Sequence, residues 1–522
     1  MRRWWPLVAI CLGTFMLLVD VTIVNVALPR MAVDLHTSFS SLQWVIDAYA
    51  LSLAALLMGA GSGADIIGHR RVYIAGLGLF ALSSIACGVA PNPAVLVTSR
   101  TVQGVGAAAM FATTFALLNS AYRGRERGIA YGVWGAVTGA SAALGPIMGG
   151  LLTQGLSWRW IFFVNIPVSI AAIALSLAVL SGARGSLDRR VDVPGVVSFT
   201  VATAALTFAM IRASSDGWAS ARVLGLLAAG AVSLAAFIAI QRRSDHALLD
   251  LSLFRNSSFV GVMIAALLVN FAAFAYFTYT SIWLQSLLGL SPIAAGLAGL
   301  PLSASAFLVS AMIGRFLHTA APGPIIGGGL LLVGGGALLS ALLLGKGSSW
   351  AALVAGFTVC GVGVGLATPT LSSTAMGAVS ADRGGMAAGA VNSARQLGFA
   401  FGIAVLGSVF ASRAAHSLQA AGILDPATVA RALASGQARQ VIGAAQPAQR
   451  GHILEAVHSA FAAGLDAAFL VAGLAGVLAG LAALALVRQR HAEPAAWSSQ
   501  STDGKTAEGA AGRPQRDGAI GP

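Results

Sequence analysis

The sequence predicts an all-α integral membrane protein with 14 transmembrane helices, arranged as two six-helix bundles and two inserted helices. Three observations lead to this fold class. Of the 522 residues, 57% are hydrophobic and only 9% are Asp, Glu, Lys or Arg, which is far less charge than the surface of a soluble protein carries. Apolar runs of about 20 residues, long enough for a helix to cross a bilayer, recur along the whole chain. Clusters of basic residues occupy alternate loops between these runs.

The apolar runs predict the individual spans. They are 7–29, 42–62, 72–90, 94–117, 129–153, 160–181, 193–212, 221–241, 258–285, 293–316, 324–345, 350–373, 385–411 and 465–487. The seventh and eighth runs are shorter and interrupted by polar residues, so the count of fourteen depends on them. The three cysteines lie inside apolar runs without a CxxC pair, which indicates buried thiols rather than a disulfide or metal set. We expect no metal and no cofactor.

The basic residues predict the orientation. One set of alternate loops holds arginine pairs and triplets, such as Arg70 and Arg71, whereas the opposite short loops hold scattered charges. By the positive-inside rule, both termini are expected in the cytoplasm of a multi-pass protein of the cell (plasma) membrane. The net charge of +13 has the same explanation. No stretch of aromatic and basic residues suits base stacking, so we expect no nucleic-acid partner.

The same pattern divides the chain into four parts. They are an N-terminal six-helix bundle at 1–183, a two-helix insert with cytoplasmic linkers at 184–256, a C-terminal six-helix bundle at 257–490 and a disordered cytoplasmic tail at 491–522. The second bundle includes an external loop at 412–464, where Pro426 and Pro447 each precede a run that favours a helix. Paired helical bundles around a central site are the usual build of secondary transporters.

Charged residues inside the spans are few. Asp20 lies past the middle of the first span, where a carboxylate is costly unless it is protonated, paired or facing water, so it is a candidate functional residue. Arg100 in the fourth span lies at a similar depth, counted at about 1.5 Å per residue. Because arginine keeps its charge, Arg100 would hold Asp20 ionised when near and let it protonate when far, as a proton switch. A purely structural role in helix packing is the alternative for both. Asp47, near the outer end of the second span, is either a second proton group or an interfacial cap.

Asp65 lies at the inner end of the second span, beside Arg70 and Arg71. We expect it to cap the N-terminus of a neighbouring helix or to pair with an arginine, and so to stabilise the outward-open state. A solvated loop charge is the alternative.

The fifth span combines closely spaced glycines with a proline. Gly145 and Gly149 are four residues apart and leave a flat groove where another helix can pack closely. Pro146 removes a backbone hydrogen bond and is expected to bend the helix. Such a helix near the interface of the two halves would seal the protein against leak. Ordinary packing of small residues is the alternative.

Polar and aromatic residues predict a substrate cavity. Arg395 lies mid-span in the thirteenth helix, where an unpaired arginine is costly, so we expect it to face a cavity. Asn25 and Asn392 either hydrogen-bond to substrate or bridge helices. Phe274 and Tyr276 in the ninth span would supply contact area for a flat or lipophilic substrate, unless they face lipid.

Several of these segments resemble one family. LVDVTIVNVALP at 18–29 resembles the first-span motif of the fourteen-span drug:proton antiporters of the major facilitator superfamily. GSGADIIGHRR at 61–71 is similar to the superfamily's loop motif, with Ile66 where a basic residue is usual. RTVQGVG at 100–106 resembles its fourth-span motif, in which the arginine is implicated in proton transfer. The glycines around Pro146 resemble the antiporter motif of the fifth span.

The resemblance implies the major facilitator fold and a multidrug efflux function. The chain would be a proton-coupled antiporter that exports small lipophilic compounds (drugs, antibiotics or related metabolites) from the cytoplasm or the inner leaflet. Its partners would be substrate, protons and the lipid bilayer, and we expect a monomer. An uptake symporter of the same fold is the first alternative. A membrane-embedded enzyme is the second, but the eight histidines are scattered over loops without the acidic cluster that such an enzyme needs, so we predict no enzymatic activity.

Overall fold

The computed structural model describes residues 2–37, 39–181, 191–244, 247–314, 320–345, 347–379 and 383–488. The described residues form helices and their connections, and no β-strand occurs among them. The prediction of an all-α protein is therefore confirmed. The predicted domain boundary at 183/184 and the predicted tail at 491–522 lie outside the described residues.

The α-helices of the described residues follow one another with short connections. They are α1 (Trp5–Asp34), α2 (Phe39–Ile67), α3 (His69–Gly88), α4 (Pro93–Ala121), α5 (Gly124–Gly155), α6 (Trp160–Phe163), α7 (Asn165–Val179), α8 (Val193–Asp216), α9 (Ala221–Gln241), α10 (Ser257–Ala273), α11 (Ala275–Ile282), α12 (Pro292–Ala298), α13 (Leu300–Ile313), α14 (Pro322–Leu343), α15 (Leu353–Gly377), α16 (Gly384–Ala420), α17 (Pro426–Ala434), α18 (Ala438–Gly443) and α19 (Arg450–Leu486). A π-helical stretch, Trp283–Leu287, continues α11.

The helix lengths support 12 or 13 spans among the described residues. Twelve helical segments are long and apolar enough to cross a bilayer, and the bent helix α5 makes a thirteenth. The seventh and eighth predicted spans are among them, as α8 and α9. The tenth predicted span, 293–316, is divided into α12 and α13, and α13 alone is too short to cross. Pro301 at the start of α13 has no N–H to donate, which explains the division.

The segment predicted as a loop at 412–464 is largely helical. Helix α16 continues to Ala420 and α19 already begins at Arg450, so each has 37 residues. At about 1.5 Å per residue, each is far longer than the roughly 30 Å of a bilayer core. The alanine-rich composition favours this continuation. Between them, α17 starts at Pro426 and is capped by Asp425, whose side chain accepts from the Thr428 N–H.

The spans form two bundles that meet along two seams. Helices α1–α7 form the first bundle, and α10–α16 with α19 form the second. Helix α2 packs against α16 in one seam, the α2–α16 seam, and α5 packs against α12 and α13 in the other, the α5–α13 seam. The inserted helix α8 packs against α9 and touches both α2 and α16. The insert therefore lies along the α2–α16 seam.

The two ends of the bundles differ in charge. The end that carries the α2–α3 and α4–α5 connections is called the basic end, since Arg70, Arg71 and Arg123 lie there. Arg3 forms an ion pair with Glu126, which places the N-terminus at the same end. The opposite end carries Asp34, at the C-terminus of α1.

Candidate functional site

The structure brings Asp20 of α1 and Arg100 of α4 into direct contact. Both side chains are fully buried, and Nη1 of Arg100 lies 2.5 Å from Oδ2 of Asp20. The same Nη1 lies 2.7 Å from Oε1 of Gln103, and Nε of Arg100 donates to the Val45 carbonyl of α2 at 3.0 Å. The ion pair thus joins three helices of the first bundle, at the depth that residue counting along the two spans indicated.

The second oxygen of Asp20 is held by two amides that the sequence analysis did not identify. Asn165 at the start of α7 donates to Oδ1 at 3.0 Å, and Gln103 donates to it at 3.1 Å. Both amides also donate to the hydroxyl of Ser84 on α3. A signal existed, because Gln103 lies one helical turn after Arg100 and Asn165 is a polar residue in an apolar run.

Aromatic rings complete the enclosure of the ion pair. The guanidinium carbon of Arg100 is 4.1 Å from the centroid of the Tyr49 ring and 5.8 Å from that of Phe162. In such a dry setting an ion pair depends on both partners, because an unpaired buried charge costs about 3–5 kcal/mol. Protonation of Asp20 would remove the negative charge and turn one oxygen from acceptor to donor. The arrangement is therefore suited to couple proton uptake to a rearrangement of α1, α3, α4 and α7.

Asp47 lies apart from this network. Its carboxylate on α2 is half-buried and is attracted by Arg212 of the inserted helix α8. The Arg212 guanidinium also lies 5.2 Å from the ring of Trp44. The structure therefore places Asp47 where the first bundle touches the insert, towards the opposite end.

Asp65 joins the two bundles at the basic end. Its buried carboxylate accepts from the backbone N–H groups of Gly385 at 2.8 Å and Met386 at 3.0 Å, in the first turn of α16. His69, one turn further along the chain, lies 3.3 Å from the same carboxylate. A carboxylate at a helix N-terminus satisfies free N–H groups and is attracted by the helix dipole. The contact therefore holds the α2–α16 seam closed at this end.

The arginines next to Asp65 have other partners. Arg70 donates to the Leu177 carbonyl at the end of α7 at 2.6 Å, within the first bundle, and Arg71 is exposed. Arg383, directly before α16, instead pairs at 2.5 Å with Asp250 of the linker that follows the insert. A polar cavity of about 330 Å³ lies between these groups, lined by Asp65, Asp250 and Arg383 among others.

The glycine-rich helix α5 packs closely on both bundles. A Cβ atom at Gly149 would lie 2.8 Å from the Ile23 carbonyl of α1, and one at Gly145 would meet the side chain of Thr22. On another face, a Cβ at Gly132 would lie 2.5 Å from the Ser310 carbonyl of α13, in the second bundle.

A bend divides this helix close to its proline. The segments Gly124–Ser141 and Leu144–Gly155 differ in direction by 43°. Pro146 lies just beyond the bend and has no N–H for the carbonyl four residues earlier, which accounts for the change of direction.

The predicted cavity residues have different positions. Asn392 and Arg395 of α16 are buried and face the first bundle, where Asn392 donates to the Phe111 carbonyl and Arg395 lies near the ring of Trp134. Phe274 is half-buried at the break between α10 and α11. The Asn25 side chain lies outside the described part of the structure.

Tyr276 does not line a space between the bundles. Its ring is fully buried inside the second bundle, against Phe357 and Phe469, and its hydroxyl lies 3.1 Å from the sulfur of Cys360. The prediction that Tyr276 lines the cavity is wrong. The pattern of apolar residues along a helix does not show which of its faces is turned towards the other bundle. Tyr276 is therefore a core residue of the second bundle and not a cavity residue.

Comparisons with known proteins agree with this architecture. A family model described as Major Facilitator Superfamily matches residues 10–403. The chain is 38% identical over 415 residues to the multidrug resistance protein Stp of Mycobacterium tuberculosis, covering 79% of this chain and 77% of that protein. It is 33% identical over 503 residues to the tetracenomycin C resistance and export protein of Streptomyces glaucescens, covering 94% and 93%. The crystal structure of the human organic anion transporter MFSD10 superposes with a TM-score of 0.59 at 16% identity, covering 92% and 99%, a likeness that shows the fold alone.

Proposed function

This chain belongs to the Major Facilitator Superfamily, and from that premise we propose that it is a proton-coupled antiporter that exports small lipophilic compounds. The relatives are drug and antibiotic resistance proteins, which supports a membrane transporter of this group. The export direction is supported by the tetracenomycin C protein, which is named for resistance and export. The glycine and proline pattern around Pro146 supports the same direction.

The buried Asp20–Arg100 pair is the observation that carries the proton coupling. In the paired state Asp20 is ionised and accepts from Arg100, Gln103 and Asn165. A proton that reaches Asp20 from outside cancels the attraction of Arg100, so the helices that meet at the pair are released to move. When the pair forms again, the proton leaves towards the cytoplasm. Each elementary charge that crosses the membrane contributes about 2.3 kcal/mol per 100 mV, so one or two protons support a modest uphill gradient.

The contacts at the basic end supply the alternating access. We place the basic end in the cytoplasm, with both termini, because arginines concentrate there. Asp65 on the first turn of α16 and the glycine contacts between α5 and α13 then close the cytoplasmic side. Release of these contacts would let the bundles rock apart around the space between them, so that substrate binds from the cytoplasm or the inner leaflet.

A drug-susceptibility panel with a charge-removing variant tests the coupling. A bacterial strain that expresses the protein is expected to tolerate some lipophilic antibiotics, and tetracenomycin C belongs in the panel. Asp20→Asn is expected to lose this protection, because the amide cannot take up and release a proton. The matched control is Asp34→Asn on the same helix, whose partly exposed carboxylate bonds to Trp158 and Arg159. Equal protection by wild type and Asp20→Asn would show that Asp20 is not the coupling residue.

The direction of transport is tested in inverted membrane vesicles. For an exporter, an acidic vesicle interior drives accumulation of a compound identified in the panel, because protons leave the vesicle as substrate enters. An uptake symporter of the same fold would instead expel the compound under the same gradient. Asp20→Asn vesicles are expected to show no response to the gradient.

A further inference from the structure

Arg395 is a buried cation whose charge nothing nearby balances. Its side chain on α16 is only 6% exposed, and Nη1 has no hydrogen-bond partner among the described residues. No acidic group of the described chain lies within ion-pair distance of it or close enough to attract it. Arginine does not lose its proton in proteins, so a buried guanidinium of this kind is costly unless its site serves a ligand. The position lies about 16 Å along α16 from its start, counted at about 1.5 Å per residue, near the middle of a span.

The face of α16 that carries Arg395 is turned towards the first bundle. Asn392 lies three residues earlier, on the same face of the helix. It donates from Nδ2 to the Phe111 carbonyl of α4 at 3.3 Å, while its Oδ1 has no partner in the described residues. The Arg395 guanidinium carbon lies 5.9 Å from the Trp134 ring of α5. The unbalanced charge therefore lies at the interface where the two bundles separate during transport.

A flat apolar wall faces this cation from the first bundle. The rings of Phe111 and Trp134 lie 6.5 Å apart with an angle of 28° between their planes. Phe115 packs edge-on against Trp134 at 4.7 Å, and the indole N–H of Trp134 donates to Thr14. The indole therefore needs no hydrogen bond from a ligand. Both rings are buried in this arrangement, and separation of the bundles would expose them as stacking surface for another ring system.

The charges at the centre of the protein favour one class of ligand. Arg100, the other buried arginine among the described residues, is paired with Asp20, so that pair is neutral overall. Arg395 therefore leaves a positive charge, which attracts an anion and repels a cation. A guanidinium presents a planar fork of donors that matches the two oxygens of a carboxylate.

We propose that the space between the bundles binds aromatic organic anions, with the acidic group of the ligand on Arg395 and its rings against Phe111 and Trp134. The proposal names the substrate class of the exporter, and it rests on the proposed function for the direction of transport but not for binding. Export of a monovalent anion in exchange for one proton moves two positive charges inward per cycle. A membrane potential that is negative inside therefore drives the cycle together with the pH gradient.

Two dyes with one xanthene core but opposite charge test the binding site. Fluorescein is an anion and rhodamine 123 a cation, and their binding to the purified full-length protein is followed by fluorescence anisotropy without any gradient. Wild type is expected to bind fluorescein at least about tenfold more tightly than rhodamine 123. Arg395→Gln is expected to lose about tenfold or more in fluorescein affinity without losing affinity for rhodamine 123, and Arg395→Lys to retain most of it. The control is Arg413→Gln, an exposed arginine on the same helix, which should bind both dyes as wild type does.

Several outcomes would overturn the proposal. If wild type binds rhodamine 123 as tightly as fluorescein or more tightly, the proposal is wrong, even if Arg395→Gln fails to fold. The proposal is also wrong if wild type binds neither dye. A parallel loss of affinity for both dyes in folded Arg395→Gln would assign Arg395 to helix packing instead.

Failure of the anion site and failure of the proton coupling are distinguishable. Asp20→Asn removes a negative charge from the centre, so it is expected to keep the preference for fluorescein over rhodamine 123, whereas proteoliposomes that contain it should not respond to a pH gradient. Gradient-driven transport of rhodamine 123 but not fluorescein would support coupling and contradict the anion site. Selective fluorescein binding without any gradient-driven transport would support the anion site and contradict the proton coupling.

Discussion

At the scale of single residues, the Asp20–Arg100 pair has a structural role beside the coupling role proposed for it. Each charge is acceptable in the dry interior only because of the other, and the amides of Gln103 and Asn165 hold the carboxylate in place. In the proposed cycle this carboxylate would have two well-defined arrangements, paired and released, rather than a continuous range.

Removal of one charge of this pair is expected to be worse than removal of both. Asp20→Asn or Arg100→Gln alone leaves the other charge buried without its partner, and a buried pair broken in this way costs about 3–5 kcal/mol of stability. The double variant leaves two neutral amides that can bond to each other. We expect thermal unfolding in detergent to place the double variant above the Arg100→Gln single variant. The exposed pair Asp34 and Arg159 is the control, where additive effects below about 1 kcal/mol are expected. Additive losses at Asp20 and Arg100 would contradict the coupling of their charges.

The second residue-scale prediction concerns Asp250, outside the membrane-spanning segments. Hydrogen bonds from Ser252, and then from Arg383, lower the pKa of the Asp250 carboxyl below its ordinary 3.8. A lowered pKa adds stability that is fully present above the ordinary value and is lost as the pH falls through the lowered one. Because the group is partly exposed and screened, Asp250→Asn is expected to cost only about 0.5 kcal/mol at pH 6. Thermal unfolding of wild type and variant between pH 3 and 6 should converge at the acid end, and curves that stay parallel would speak against this contribution.

The sequence identified the charged members of the central network but not its neutral members. Asp20 and Arg100 are recognisable because a charge in an apolar run is costly wherever its helix lies. Gln103, Asn165 and Ser84 are cheaper to bury, so their role depends on which helices become neighbours. Tyr276 shows the same limit, since an aromatic residue in a mostly apolar span packs equally well inside a bundle or in a cavity.

At the scale of single helices, α5 is built for close approach to the second bundle. Gly132→Ala would place a Cβ atom 2.5 Å from the Ser310 carbonyl of α13 and 2.9 Å from the Cα of Gly314, which directly follows α13. Backbone atoms cannot rotate away, so the bundles would be pushed apart at the basic end. We expect lower export and a lower thermal midpoint, because such overpacking costs about 1–3 kcal/mol of folding stability. Gly155→Ala near the end of the same helix meets no atom within 4 Å and should behave as wild type, and equal effects of both would refute the packing argument.

Helix α16 gives a second element-scale prediction, because its first turn is capped from the other bundle. Asp65→Ala removes the acceptor for Gly385 and Met386 and should cost the closed state about 1 kcal/mol, while Asp65→Asn keeps an acceptor and should cost less. The population with an open basic end should therefore rise in the order wild type, Asn, Ala.

Spin labels on exposed Ile67 and Arg488 would report the width of this opening. The three native cysteines are buried and should stay unlabelled. Arg71→Ala, which removes an exposed charge from the same connection, is the control. If the distribution of distances between the two labels does not change in Asp65→Ala, the Asp65 cap does not hold the basic end closed.

At the scale of the whole molecule, composition alone was sufficient for the helical membrane architecture, because lipid exposure leaves few alternatives to a helix. The span lengths were harder to predict. The breaks at Gly299 and Phe274 and the extension of α16 to Ala420 depend on local backbone and packing. The pairing of α2 with α16 and of α5 with α13 was not readable from one sequence, since lipid-facing and bundle-facing positions are equally apolar.

The position of the insert breaks the symmetry between the two seams. Helix α8 lies against both α2 and α16, so it covers the flank where Asp65 closes the basic end. Among the described residues, α5 and α13 have no comparable contact with α8 or α9. For a substrate that enters from the inner leaflet, as proposed, the two seams are therefore unequal. The α2–α16 seam is shielded by the α8–α9 hairpin, and the α5–α13 seam is bordered by the glycine-rich helix. Lateral access through the α2–α16 seam is therefore shielded by the insert, whereas the α5–α13 seam, which glycine contacts close in this structure, is the one that the insert does not shield.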